Sequence, residues 1–90
     1  MSIVNYRVTL TRGPPTSIRT WELKRDDALM GVFASRFGAE AEGRRKAHLD
    51  CAAGFDCRLT VFESDGNVDA VFEFAGPPCE PTEIAAPPAA

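Results

Sequence analysis

His48, Cys51, Cys57 and Cys79 are four side chains of the kind that ligate zinc, and four is the number a tetrahedral site takes. Their spacing, His-x2-Cys-x5-Cys-x21-Cys, matches no short ligand knuckle. If residues 44–53 form a strand, His48 points away from Cys51 and the donors diverge. If they form a helix, the two share a face and a small metal- or thiol-dependent protein becomes the alternative reading. A Cys51–Cys57 disulfide fits a strand pair, but in a reducing cytosol buried thiols are expected.

His48 is also the one ring base available to a Ser or Cys nucleophile. In the strand reading it lies on the face opposite Cys51 and Cys57, so no dyad forms. Gly31, Gly38, Gly43 and Gly54 are isolated, without a phosphate-cradling pattern. The expectation is a protein with no catalytic constellation, no cofactor and no metal.

Charge narrows the partners. Residues 1–45 carry eight Lys/Arg against five Asp/Glu, and residues 46–90 carry two against eight. A nucleic-acid module concentrates a stronger basic excess on one face, so direct binding through Arg7, Arg12, Arg19, Lys24 and Arg25 is the least favoured reading. No apolar run reaches the roughly 18 residues of a membrane span. The first residues show neither a leader nor a lipidation motif, which leads us to expect a cytoplasmic protein.

The elements that would position these residues follow from periodicity. Val4, Tyr6, Val8 and Leu10 alternate with polar residues, and after Gly13-Pro14-Pro15 the stretch Ser17–Leu23 returns with Trp21 and Leu23 inward and Ile18 outside. Asp26 reads as an N-cap for a helix bearing Leu29, Val32, Phe33 and Phe37, ending at Gly38 or fraying to Gly43. In this reading Phe33 and Phe37 meet Trp21, Leu59, Phe72 and Phe74.

Ala47–Cys51 alternates as a third strand. The competing helix over Ala39–Ala53, with Gly54 as C-cap, has Leu49 as its single large apolar residue. Asp65-Gly66 reads as a type I′ hairpin turn. It places Cys57, Leu59 and Val61 opposite Phe74, Phe72 and Ala70, and Arg58, Thr60 and Phe62 opposite Glu73, Val71 and Asp69. Residues 76–90 hold five of the seven prolines and read as a flexible tail on a single compact domain of residues 1–75.

The expected fold is α+β, an antiparallel sheet of four to five strands in the order β-β-α-β-β-β with one helix on one face. The open face then carries Phe62 and Val71 beside a row of Asp50, Arg58 and Glu73, with His48 close by. That row reads first as a surface ion-pair ladder. As a binding surface it suits a non-enzymatic protein–protein interaction module, in the form of a small phage- or mobile-element-type inhibitor of a larger host protein or protein–nucleic acid complex. Pairing through a sheet edge, with a partner strand or as a homodimer, is the competing mode.

Overall fold

The computed structural model describes residues 3–11 and 19–84. The elements run β1 (Val4–Leu10), β2 (Trp21–Arg25), β3 (Ala28–Phe33), α1 (Arg36–Ala52), β4 (Cys57–Phe62), β5 (Val68–Phe74) and β6 (Pro81–Ile84). They form an α+β fold, with six strands in the order β3-β2-β1-β4-β5-β6 and α1 on one face. The central pair, β1 and β4, is parallel, with Val4 beside Cys57 and Val8 beside Val61, so the sheet is mixed rather than wholly antiparallel. A parallel neighbour needs a crossover, and α1 supplies it.

β1 follows the alternation, and β2 begins at Trp21 and runs on to Arg25 rather than spanning Ser17–Leu23. Val4, Tyr6 and Val8 are buried, and Val8 and Leu10 lie opposite Leu23 and Trp21. Gly13-Pro14-Pro15 and Ile18 lie outside the described residues. Asp26 is not a helix cap. Asp26 and Asp27 have φ of 46° and 73°, the two positive values of a type I′ turn, and they join β2 to β3 with Arg25 opposite Ala28. Asn5 braces the turn: its amide donates to Asp26 Oδ1 (3.0 Å) and its carbonyl accepts from the Asp26 amide (2.8 Å). Leu29, Val32 and Phe33 therefore belong to a strand. A short apolar run bounded by a turn suits a strand as well as it suits a helical stripe.

The helix begins only after that strand, at Arg36. Ser35 is the N-cap, its hydroxyl accepting from the Gly38 amide (3.1 Å). Its other end is a Schellman motif, with the Gly54 amide on the Cys51 carbonyl (2.9 Å) and the Phe55 amide on the Asp50 carbonyl (3.0 Å). Gly54 supplies the left-handed residue, φ 106°. The strand expected over Ala47–Cys51 is therefore the last part of α1.

The physical reason lies in what α1 buries: Ala39, Gly43, Ala47 and Cys51, a stripe at four-residue spacing made of small residues. The bulk comes from the sheet instead. A methyl group at Gly43 would stand 3.0 Å from Leu59 Cδ1 and 3.2 Å from Leu23 Cδ1, so the backbone itself seats on the leucines. Leu49 faces solvent.

In the second meander, β4 and β5 pair in the expected register from Cys57↔Phe74 to Val61↔Ala70. Beyond Val61 a bulge at Asp69 puts Phe62 opposite Val68. The Gly66 amide donates to the Glu63 carbonyl (3.0 Å), and Glu63 N–H to the Asn67 carbonyl (2.8 Å). Ser64-Asp65-Gly66 is thus a three-residue loop with Gly66 at φ 91°, not a type I′ pair. The sequence expected to form a tail continues the fold: β6 pairs with β5, Phe74 opposite Pro81, and Cys79 is buried and disulfide-bonded to Cys51. Residues 85–90 lie outside the described residues.

Candidate interaction surfaces

Of the residues expected on the open face, the structure brings together Arg58, Glu73, Phe62 and Val71. Arg58 Nη2 donates to Glu73 Oε1 at 3.0 Å, with both side chains about two-fifths exposed, so the pair contributes no more than about 0.2–1 kcal/mol. Arg58 Nε is buried without a hydrogen-bond partner among the described residues. Val71 is 8% exposed and Phe62 half-buried, because Thr60, Ile84 and Val68 lie beside them in the sheet. The apolar content of this face is largely spent on its own neighbours.

Asp50 and His48 are not on that face. Both belong to α1, on the other side of the sheet. The Asp50–Arg58–Glu73 row therefore shortens to Arg58–Glu73. Asp50 Oδ2 accepts from the Tyr6 hydroxyl (2.5 Å) and from Arg25 Nε (3.0 Å), fastening the end of α1 to β1 and β2. Burial raises the Asp50 pKa, but the hydrogen bonds from Tyr6 and Arg25 outweigh it and hold the carboxyl below its ordinary value. Tyr6 moves the other way: burial first, then the bond to Asp50, keeps its hydroxyl protonated well above the ordinary tyrosine range. A buried donor committed to a partly exposed carboxylate is a structural clasp.

The four candidate metal ligands are also divided. Cys51 and Cys79 are bonded to each other with Cα atoms 5.7 Å apart, so neither offers a thiolate in this state. His48 Nδ1 lies 3.0 Å from the Cys79 carbonyl, which only accepts, so this nitrogen carries the proton and donates. Cys57 is free and buried, and burial pushes its thiol up to about 11. A thiol held protonated is a poor nucleophile at neutral pH. Among the described residues no group of three or more His, Cys, Asp or Glu is placed to hold a metal ion, and no helix is long and apolar enough to cross a membrane.

The surface that sequence reasoning missed is the edge at β3. Three of the seven exposed large apolar side chains among the described residues fall here: Leu29 (55%), Met30 (40%) and Val32 (54%). Phe37, expected in the core, is instead 76% exposed on the outer side of α1, beside Glu40, Ala41 and Arg44. Met30 is the extra residue of a bulge, since Gly31 faces Leu23 and Leu29 faces Lys24. Leu29 and Val32 consequently share the outer face, while Ala28 and Phe33 share the inner one. Strand β3 carries no charge and no proline to discourage pairing. The opposite edge, β6, begins with Pro81 and carries Glu83. The signal for this surface was the run Ala28–Phe33 behind Asp26-Asp27, read with the helical period instead of as a strand. No protein-family model matches the sequence, and comparison with curated proteins and with solved structures returns no match.

Proposed function

We propose that this protein is a non-enzymatic protein–protein interaction module whose recognition surface is the β3 edge, Ala28–Phe33. The observation that carries the reading is the concentration of exposed Leu29, Met30 and Val32 on one unpaired edge. Strand addition supplies main-chain hydrogen bonds, and alternate side chains supply selectivity. Inhibition of a larger complex by occupying its surface is one outcome of such binding. The edge mode is favoured over the face of Phe62, Val71, Arg58 and Glu73 because Val71 is already buried. The Cys51–Cys79 disulfide favours an oxidising compartment over the cytoplasm.

The test is photo-cross-linking in lysate of the source cells, with a benzophenone side chain introduced at Val32 or at Glu73. Adducts are expected from position 32 and not from 73. Adducts from 73 alone would move recognition to the outer face, and none from either would remove the reading.

A further inference from the structure

We propose that the occupant of the β3 edge is a second copy of this chain, paired antiparallel about a two-fold axis through the Met30–Gly31 peptide. This rests on the edge reading above and names its partner. The strand is self-complementary in that arrangement. Leu29 comes opposite Val32 of the second copy, and Ala28 opposite Phe33. The bulge at Met30 is what places both members of each pair on the same face of the sheet. Two exposed apolar pairs, Leu29 with Val32 and its symmetry mate, then cover each other on the outer face.

Charge selects the same orientation. On the outer face Leu29 is flanked by Lys24 and Val32 by Glu22 in the neighbouring strand. Antiparallel pairing therefore builds two rows, each running from a lysine of one copy through two apolar residues to a glutamate of the other. It also brings the acidic turn Asp26-Asp27 of one copy towards the Ala34-Ser35-Arg36 end of the other. A parallel arrangement sets Lys24 in line with Lys24 and the acidic turns against each other, which is repulsive. An isologous contact closes on itself, so the edge is consumed and growth stops at two. The β6 edge, with Pro81 and Glu83, is unsuited to extend the assembly.

The test is sedimentation velocity on the oxidised full chain over a concentration series, with wild type and Val32→Lys. Wild type is expected at twice the 9.7 kDa chain mass. Val32→Lys, at an exposed position, should keep the wild-type circular dichroism and weaken the dimer by at least about tenfold, since both Leu29–Val32 contacts across the two-fold axis then set an ammonium group against a leucine. Mixing Leu29→Cys with Val32→Cys chains under mild oxidation should yield a disulfide-linked heterodimer, and Leu29→Cys alone should not.

A wild-type monomer up to about 100 μM, weaker than a typical specific complex, overturns the homodimer. The edge reading is then judged separately by the mass of the position-32 cross-link adduct. A dimer of unchanged affinity in Val32→Lys overturns pairing through this edge. Heterodimer yields no higher than those from Leu29→Cys alone overturn the antiparallel register.

Discussion

The Tyr6 hydroxyl donates to the Asp50 carboxylate at 2.5 Å, across 44 residues of sequence, and ties the last turn of α1 to the central strand of the sheet. Arg25 completes the clasp from β2 at 3.0 Å. Asp50 therefore has a lower pKa folded than unfolded. Its contribution to stability is complete above the unfolded value of about 3.9 and is lost as pH falls through the folded value. Asp50→Asn should lower stability at neutral pH by roughly 1–3 kcal/mol and flatten the acid limb of the stability profile. Urea melts over an acid pH series measure both effects. An unchanged acid limb would show that another carboxylate dominates.

Alkaline pH acts on two buried groups, Cys57 and Tyr6. The folded pKa of Cys57 is raised to about 11 from 9.0 by burial, and that of Tyr6 is raised as well. For both, stability is complete below the unfolded pKa and lost as pH rises through the folded one. Cys57 alone should account for a loss on the order of 3 kcal/mol between about pH 9 and pH 11. In Cys57→Ala the cavity lowers stability at pH 7 while the alkaline slope becomes shallower. A slope as steep as wild type in that variant would refute the assignment to Cys57.

The disulfide closes a loop of 28 residues between the end of α1 and the approach to β6. Paired replacement Cys51→Ser/Cys79→Ser should cost about 2–4 kcal/mol, mainly by releasing the unfolded chain. Truncation after Gly76 should cost at least as much, because it also removes β6 from the sheet. Denaturant midpoints of the two variants, compared with reduced wild type, check this. Wild-type stability in the truncated chain would mean that β6 contributes nothing.

Gly43 is a second point of leverage. In an exposed helix interior Gly→Ala stabilises by about 1 kcal/mol. At Gly43 the new methyl meets Leu59 and Leu23, both fully buried. Overpacking of this kind costs typically about 1–3 kcal/mol, so Gly43→Ala should be destabilising overall. Ala41→Gly, on the exposed side of the same helix, serves as the propensity control.

Phe72 faces the core, opposite Leu59, with the Arg44 guanidinium of α1 4.4 Å from its ring centroid. Phe72→Ala should cost about 3–5 kcal/mol, and Arg44→Ala about 0.5–1 kcal/mol. Thermal melts of the two variants would reveal a misplaced register if Phe72→Ala were mild.

The sequence by itself determined β1, the inward Trp21 and Leu23 of β2, and the β4–β5 pairing as far as Val61, because in a sheet with one buried face the period of two is written directly into Val4, Tyr6, Val8 and into Cys57, Leu59, Val61. It also identified Arg58 and Glu73 as cross-strand partners. Tertiary structure alone decided the helix, since its contact stripe of Ala39, Gly43, Ala47 and Cys51 is small and the bulk that completes the core belongs to Leu23, Leu59 and Phe72 far along the chain. It likewise decided that Ala28–Phe33 is an edge strand, a segment whose apolar spacing satisfies either period until the Asp26-Asp27 turn and its Asn5 brace are in place. Asp50 and His48 left the expected site for the same reason: a strand-to-helix change moves a side chain to another layer of the fold. The disulfide, too, required the third dimension, because pairing among three cysteines depends on which two Cα atoms the folded chain brings within reach, and local spacing carries no such information.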